Sequence, residues 1–224
     1  MQQEMRQEMQ QATPQITFYT HPMSRGRTVR WMLEELGLPY ESVVFTDFGG
    51  KMKEQEYLAI NPMGKVPALK HGETIITECA AICAYLADMF PQKQLAPHFD
   101  DPQRGIYYRW LFFAAAPLEA AMMEVALQLV PKESDRTSLG YGSLALCLKT
   151  LEGELQQKDF LCCNRFTTAD LYMAELLDFG MNAVKIIEQN PVFTAYIQRH
   201  QARESYARAT KIDDDLFAQI NSKN

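Results

Sequence analysis

The stretch ITFYTHPMSRGRTVRWMLEELGLPYESVVF, residues 16–45, contains the pattern of a strand, a helix and a second strand. Residues 16–20 alternate in polarity and are rich in β-branched and aromatic side chains, which is typical of a strand. Apolar residues then recur at helical spacing, at Val29, Met32, Leu33 and Leu36. Gly37 and Pro39 end the helix, and residues 41–45 form the second strand. Because strands joined by a crossover helix pair in parallel, the stretch predicts a parallel β-α-β unit.

The residues that follow add a hairpin and further helices to this unit. A short irregular helix is expected over residues 51–59. Residues 66–69 and 74–77 flank the turn dipeptide His71-Gly72, and such a turn joins antiparallel strands. The next helix has its apolar residues at Ile82, Tyr85, Leu86 and Met89. This order of elements predicts a mixed four-stranded sheet covered by helices, which is the thioredoxin-like architecture.

The chain is expected to form two domains joined by a linker. Residues 1–14 are polar and end at a proline, which indicates a flexible N-terminal arm. The α/β thioredoxin-like domain covers residues 15–91, and the proline- and aspartate-rich residues 92–101 form the linker. No strand pattern follows, so residues 102–210 are predicted to form an all-α helical domain, with residues 211–224 as a C-terminal tail.

Composition argues against several classes of function. The 224 residues carry 22 basic and 28 acidic side chains, a net charge of −6, which argues against nucleic acid or an anionic membrane as a partner. No apolar run approaches the length of about 20 residues that spans a bilayer. The five cysteines are loosely spaced and odd in number, which is typical of reduced thiols in a cytoplasmic protein. No histidine has zinc-site spacing to them, so no metal site is expected.

The loop between the first strand and its helix, residues 21–27, contains a serine that has two interpretations. Ser24 lies where a helix N-cap belongs, and capping a free N–H there is worth about 1 kcal/mol. Alternatively its hydroxyl donates to an anion held at the helix N-terminus, where the macrodipole, Arg25 and Arg27 add positive potential. This segment alone favours the cap. The loop lacks the Cys-x-x-Cys pair of dithiol chemistry.

The segment NPMGKVPAL, residues 61–69, places a proline at the entrance of a strand. A cis Val66–Pro67 bond would explain this position, since proline removes a ladder hydrogen bond. The Val66 N–H and C=O would then be free to pair with an extended peptide. The alternative is a proline on an edge strand with no ligand.

The segment TECAAI, residues 77–82, runs from a strand into a helix. Thr77 or Cys79 flanks the helix start, where capture of a carboxylate is physically reasonable. Glu78 could bind a ligand ammonium. The alternative for Glu78 is a first-turn acid that interacts only with the helix dipole.

Together these motifs resemble those of the cytosolic glutathione S-transferases. The order of elements, Ser24, residues 61–69 and residues 77–82 are similar to the family's N-terminal domain. Residues 166–170, FTTAD, resemble the capping motif of its helical domain. The resemblance covers about residues 15–210, and the position of Ser24 is most similar to the serine-type theta and phi classes and their bacterial relatives.

The resemblance implies a glutathione site built from these segments. Val66 would pair its backbone with the cysteinyl part of glutathione, before a cis Pro67. Glu78 would hold the γ-glutamyl ammonium. Cys79 lies where the family usually has serine, and its N–H can still donate to the γ-glutamyl carboxylate although a thiol is a weak donor.

The resemblance also implies how the thiol is activated and where the glycyl end lies. Lys53 and Lys65 would face the glycyl carboxylate, with solvent exposure as the alternative for both. Ser24 would stabilise the thiolate. Lowering a thiol pKa of about 8.5 by two units requires about 2.7 kcal/mol. A hydrogen bond to an ion supplies roughly 1.5–3 kcal/mol and the helix end up to about 1 kcal/mol, so no general base is needed.

The second substrate is expected to be a hydrophobic electrophile. Candidate residues for its pocket are His21 and Met23, beside the Ser24 loop. Others lie on the first helix after the linker, at Tyr107, Trp110, Leu111, Phe113 and Ala114. The alternative for the helix residues is a place in the core, where aromatic residues at helical spacing are commonly found.

The expected function is that of a glutathione transferase, in which the thiolate attacks an electrophilic carbon. Glutathione is the co-substrate, and a homodimer is implied by the resemblance. The alternative is a non-catalytic glutathione-binding regulatory or scaffold protein, because a fold does not determine a function.

Overall fold

A computed structural model describes residues 15–222 of the chain. The expected N-terminal arm, residues 1–14, lies outside this part. The described residues form two compact units, of which the first comprises residues 15–82 and 208–222 and the second residues 83–207. No helix in the described range is long and apolar enough to cross a membrane.

The first unit contains a four-stranded mixed sheet with helices. Its strands are β1 Ile16–Thr20, β2 Glu41–Val44, β3 Ala68–His71 and β4 Thr74–Thr77. Its helices are α1 Gly26–Leu36, α2 Gln55–Leu58 and the start of α3 Cys79–Met89, with a 3₁₀ turn at Gly50–Lys53. The strand order is β2-β1-β3-β4, with β1 and β2 parallel and the other pairs antiparallel. The structure therefore confirms the predicted α/β domain.

The apolar pattern of residues 16–45 forms the core of this unit. Phe18 of β1 has no exposed surface, and it lies opposite Ser42 on one side and Leu69 on the other. The helical stripe that includes Val29 and Leu33 is also fully buried. Burial of such side chains contributes about 1.5–3 kcal/mol each.

The end of α1 confirms the predicted stop signal. Gly37 adopts a left-handed conformation with φ of 64°, which glycine tolerates without a steric penalty, and its N–H donates to the Leu33 carbonyl at 3.0 Å.

The second unit is helical, as predicted. It contains most of α3, and then α4 Gln103–Phe113, α5 Glu119–Ala126, α6 Leu144–Leu155, α7 Thr168–Asp178, α8 Pro191–Gln201 and the start of α9 Glu204–Asn221. Pro117 lies in a π-helical segment, Ala114–Leu118, between α4 and α5. Such a segment accommodates a proline that removes a helical hydrogen bond.

The C-terminal residues differ from the expected tail at 211–224. Up to Asn221 they belong to helix α9, and from residue 208 they are part of the first unit. Asp213 on this helix is 1% exposed and its Oδ1 accepts a hydrogen bond from Arg30 Nε at 2.7 Å. The sequence shows only a run of acidic residues here, and a charged helix face does not reveal a buried partner that lies far away in the chain.

Candidate functional site

The Ser24 hydroxyl is held in a tight turn between β1 and α1. It donates to the His21 carbonyl at 2.7 Å and accepts from the Gly26 N–H at 3.0 Å. The Ser24 N–H donates to the same carbonyl at 3.0 Å. The N-cap of α1 is Arg25, one residue later than expected, but the serine hydroxyl still satisfies a free N–H of the first turn. The hydroxyl therefore lies at the helix N-terminus, where the helix dipole favours an anion.

Gly26 allows this N-terminus to approach β1 closely. A Cβ at this position would overlap Thr20 Oγ1 and would lie 2.9 Å from Ser24 Oγ. Any larger residue would push the serine or the strand away. The glycine thus fixes the position of the hydroxyl.

His21 is a buried member of the same loop. Its Nδ1 accepts from the Met23 N–H at 3.1 Å, and its ring hydrogen-bonds to the Thr46 backbone and lies 4.2 Å from the Phe48 ring. Burial lowers the pKa of His21, so that the ring is neutral at pH 7. His21, predicted to line the second-substrate pocket, has its ring hydrogen-bonded to the backbone of Met23 in its own loop and of Thr46 after β2. Met23, by contrast, is more than half exposed.

Arg27 does not offer the free positive charge that the sequence suggests. Its guanidinium donates to Asp214 Oδ1 at 2.9 Å and to the Pro22 carbonyl at 3.3 Å. The paired carboxylate offsets its charge, so Arg27 adds little to the positive potential that the helix dipole gives the start of α1.

The expected cis bond between Val66 and Pro67 is present. Within the described residues, the Val66 N–H and C=O have no hydrogen-bond partner. The preceding Lys65 carbonyl accepts from the Tyr57 hydroxyl at 2.6 Å and from Asn61 Nδ2 at 2.8 Å. Burial raises the pKa of Tyr57 to about 12, so it remains a donor at neutral pH. The Tyr57 and Asn61 side chains thus hold the segment in place, and the Val66 N–H and C=O remain available for pairing.

The two lysines have different surroundings. Lys53 Nζ donates to the Met63 carbonyl at 3.2 Å and to the Gly64 carbonyl at 3.0 Å, so it holds the loop of residues 61–69 in place. The Lys65 ammonium is exposed and pairs with none of the described residues. Of the two expected partners for a glycyl carboxylate, Lys65 has the more available charge.

Glu78 has a backbone conformation that is uncommon for its residue type. It has φ of 66° and lies directly before helix α3. A non-glycine residue in this region costs about 1–3 kcal/mol and is concentrated at ligand sites. Its carboxylate is exposed and has no partner among the described residues. Cys79, at the start of α3, is buried, and its thiol donates weakly to the Arg25 carbonyl at 3.5 Å.

The sheet brings these three segments to one end. Ala68 at the start of β3 lies opposite Tyr19 near the end of β1 and opposite Thr77 at the end of β4. Ser24, Val66 and Glu78 follow or precede these three positions by a few residues. A helix N-terminus, the unpaired backbone groups of Val66 and an exposed carboxylate, each within the described part of the chain, therefore lie at the same end of the sheet. These groups can bind a thiol-bearing peptide that has carboxylates and an ammonium group.

Four of the five residues expected on α4 and just after it are core residues. Tyr107, Trp110, Leu111 and Ala114 have no exposed surface, so they offer nothing for a ligand to touch. Their burial favours the alternative given for them, a place in the core, because positions three and four apart on a helix share the face that packs into the core. Phe113 is half-buried, with its ring 5.3 Å from Trp110.

Sequence reasoning missed one residue beside the Ser24 loop. Phe48 is 60% exposed and its ring contacts His21, which places an apolar surface next to this loop. An exposed aromatic residue in a glycine- and aspartate-containing loop has no periodicity that would identify it.

The capping motif of the helical unit is a fully buried network. Asp170 Oδ2 accepts from the Thr167 N–H at 2.9 Å, and Oδ1 accepts from the Leu161 N–H at 2.8 Å and the Tyr196 hydroxyl at 2.9 Å. Burial raises the pKa of Asp170 to about 6. All of these partners lie in the helical unit, which fits a role in folding.

The described residues contain no cluster of His, Cys, Asp or Glu that could hold a metal ion. The candidate site therefore consists of backbone groups, one hydroxyl, one carboxylate and one ammonium.

Comparisons with known proteins identify the family. Residues 23–89 match the glutathione S-transferase N-terminal domain, and residues 140–204 match the glutathione S-transferase C-terminal domain. Glutathione S-transferase 2 of Schizosaccharomyces pombe is 33% identical over 168 residues, which are 70% of this chain and 71% of that protein. Glutathione S-transferase GstA of Escherichia coli O157:H7 is 32% identical over 150 residues, 66% of this chain and 73% of that protein.

Solved structures agree with this assignment. A glutathione transferase from Methylococcus capsulatus is 27% identical with a TM-score of 0.74, covering 89% of this chain and 98% of that one. A sphingomonad glutathione S-transferase complexed with glutathione is 26% identical with a TM-score of 0.71, covering 88% and 98%. The chain belongs to the glutathione S-transferase family.

Proposed function

We propose that this glutathione transferase stabilises the glutathione thiolate through Ser24 and joins it to hydrophobic electrophiles. The observation that carries the proposal is the Ser24 hydroxyl at the N-terminus of α1, at the same end of the sheet as the Val66 backbone. The thiolate sulfur forms a bond to an electrophilic carbon, and the leaving group departs with the electron pair of its own bond. No protein group is covalently modified.

Glutathione would be held along the end of the sheet. The Val66 N–H and C=O would pair with the cysteinyl backbone, as strands do. Glu78 would hold the γ-glutamyl ammonium, and the Cys79 N–H at the start of α3 would donate to the γ-glutamyl carboxylate. Lys65 would meet the glycyl carboxylate, while Lys53 shapes the loop that presents it.

Ser24 must exchange one hydrogen bond for another when it binds the thiolate. Its proton now goes to the His21 carbonyl, and turning it to the sulfur gives up a neutral bond worth about 0.5–1.5 kcal/mol. A bond to an ion returns roughly 1.5–3 kcal/mol, and the helix end adds about 0.3–1 kcal/mol. The net stabilisation of about 1–3 kcal/mol lowers the thiol pKa by roughly one to two units. The hydroxyl can accept from the Gly26 N–H throughout.

The second substrate would meet an apolar surface beside this loop. Met23 and Phe48 are both more than half exposed. We expect these side chains to contact a flat or hydrophobic electrophile, since ligand sites are largely apolar.

A rate measurement tests this proposal. With an aryl chloride as electrophile at mildly acidic pH, Ser24→Ala should lower kcat/KM by about tenfold or more, because about 1.4 kcal/mol corresponds to tenfold. The KM for glutathione should change by less than about threefold. An unchanged rate in Ser24→Ala would contradict the role given to the hydroxyl.

A non-catalytic glutathione-binding protein is the second candidate function. It is favoured by the observation that the Ser24 hydroxyl is already satisfied by His21 and Gly26. If glutathione binds tightly but the protein does not raise its rate of reaction with electrophiles above the uncatalysed rate, the binding function would be the better description.

A homodimer is part of the proposal. In the helical unit, Met89 is 48% and Phe112 60% exposed, and Phe112 stacks on Tyr108 with ring centres 5.8 Å apart. Phenylalanine and methionine are enriched at protein interfaces relative to the rest of the surface, which supports this proposal. Light scattering should give twice the chain mass. A cytoplasmic location is also proposed, because all five cysteines are free thiols, as in a reducing compartment.

A further inference from the structure

We propose that the C-terminal helix α9 is a positioning element of the thiol site, acting on the Ser24 loop through Asp214 and Arg27. The proposal rests on the proposed function, in that Ser24 is the group that must be positioned. All the contacts involved lie within the first unit.

One guanidinium connects the loop with the C-terminal helix. Arg27 Nη1 donates to the Pro22 carbonyl at 3.3 Å, and Nη1 and Nη2 both donate to Asp214 Oδ1 at 2.9 Å. Pro22 lies inside the turn that the Ser24 N–H closes on the His21 carbonyl. The carboxylate of α9 therefore orients the side chain that holds the backbone of this turn.

The helix that carries Asp214 is itself firmly attached to α1. Asp213 pairs with Arg30 at 2.7 Å, and both side chains are 1% exposed. Arg30 Nη1 also donates to the Tyr40 hydroxyl and to Ser42 Oγ, each at 3.2 Å. Because this pair is buried and hydrogen-bonded, α9 is held in register with α1.

A third pair connects α9 to the C-terminal part of the same face of α1. Arg208 Nε donates to Glu34 Oε2 at 3.2 Å, and Nη2 donates to the Glu34 carbonyl at 3.1 Å. Residues 27, 30 and 34 are three and four apart on α1, so they share one helix face. Asp214, Asp213 and Arg208 of α9 each contact this face, and together they align α9 along α1.

Thiolate stabilisation requires precise placement of the Ser24 hydroxyl. A catalytic group must be held within about 0.5 Å of its productive position, and a misplacement of about 1 Å can cost about a hundredfold in rate. The Arg27–Asp214 pair is partly exposed, with side-chain exposures of 28% and 62%. It is therefore sensitive to salt, whereas the buried Arg30–Asp213 pair is not.

Two neighbouring aspartates on α9 provide a matched test. Among the described residues, Asp215 pairs only with Lys211 on its own helix, at 2.7 Å, and both side chains are more than half exposed. Asp214→Ala and Asp215→Ala remove the same charge from adjacent positions. Asp214→Ala should lower kcat/KM about three- to tenfold and raise the pKa of the bound glutathione thiol, because a loosened loop displaces the hydroxyl. Without its carboxylate partner Arg27 would by itself lower that pKa, so a raised pKa reports the displaced hydroxyl. Asp215→Ala should stay within about twofold of the natural protein.

Added salt and the conservative variant Arg27→Lys distinguish a positioning role from an effect on stability alone. Addition of roughly 0.5 M NaCl, a range in which exposed pairs are screened, should lower the rate of the natural protein towards that of Asp214→Ala and leave the variant almost unchanged. Arg27→Lys should retain more activity than Arg27→Met. A loss of stability alone would move the melting temperature without shifting the thiol pKa, and that result would overturn the positioning role.

Hydrogen exchange of the loop distinguishes this inference from the proposed function. The amides of Met23 and Ser24 should exchange faster in Asp214→Ala than in Asp215→Ala, whether or not Ser24 activates the thiol. Equal loop exchange in the two aspartate variants would overturn the link from α9 to the loop, and equal thiol pKa together with equal rates would overturn its positioning role. If loop exchange differs as expected while Ser24→Ala has the rate of the natural protein, the proposed function fails and the link from α9 to the loop stands.

Discussion

Replacing Asp170 by alanine should destabilise the protein, and more so at acidic pH than at neutral pH. The carboxylate accepts hydrogen bonds from the Leu161 and Thr167 N–H groups and from the Thr167 and Tyr196 hydroxyls, all buried. A buried donor left without an acceptor costs about 1–3 kcal/mol. Loss of the buried charge, whose pKa is raised to about 6 by burial, offsets part of this cost at pH 7. We therefore expect Asp170→Ala to lower the free energy of unfolding at pH 7 by about 3 kcal/mol or more.

The pH dependence has a definite sign. Because the folded pKa is raised, the folded state binds the proton more tightly than the unfolded state, so the stability from this proton is full below pH 3.8 and is lost as pH rises through about 6. At about pH 5 this contribution is on the order of 1 kcal/mol, and at about pH 7.5 it is close to zero. The destabilisation caused by Asp170→Ala should thus be larger at the lower pH by about that amount.

Urea unfolding at the two pH values measures this difference. Asp178→Ala is a matched control on the same helix, because the Asp178 side chain is partly exposed and accepts from the exposed Asn182 amide at 2.6 Å. It should change stability by less than about 0.5 kcal/mol at either pH. Glutathione affinity of folded Asp170→Ala should be nearly that of the natural protein. A smaller destabilisation at the acidic pH than at the neutral one, or a large affinity loss in the folded variant, would refute the reasoning.

Three further outcomes are expected. Gly26→Ala should lower the free energy of unfolding by about 1–3 kcal/mol and slow conjugation, because the added Cβ overlaps Thr20 Oγ1 and displaces Ser24. Thermal melting and steady-state kinetics measure the two effects, and a variant with natural stability and rate would contradict the prediction. Glu78→Gly should raise the free energy of unfolding by about 1 kcal/mol, because glycine adopts the left-handed backbone conformation without strain. The same change should weaken glutathione binding about tenfold in calorimetry, and an unchanged affinity would show that Glu78 is not part of the site. Phe112→Glu should convert a dimer into a monomer in light scattering, and a dimeric variant would place the interface elsewhere.

The sequence predicts most of the fold because its strongest signals are local. Apolar spacing in residues 16–45 and the glycine at 37 determine a strand, a helix and a stop, and all three are confirmed. The cis Val66–Pro67 bond is also confirmed. The strand itself begins at Ala68 rather than residue 66, because Pro67 has no N–H to donate to the ladder.

The errors come from contacts that no local pattern encodes. Helical spacing shows that Tyr107 and Trp110 share a face, but only packing decides that this face is core. Arg27 looks like a free cation until Asp214, far away in the chain, is placed beside it. Phe48 lies in a loop without periodicity, and only its contact with the His21 ring places it beside the candidate site.

The most direct test of the account is a pH titration of the thiolate absorbance of glutathione bound to the protein and to Ser24→Ala. Stabilisation of the thiolate by Ser24 predicts a thiol pKa about one to two units below the free value of about 8.5, and a return towards that value in the variant. Glutathione that binds with an unshifted pKa, or with the same lowered pKa in Ser24→Ala, would contradict the claim that Ser24 stabilises the thiolate.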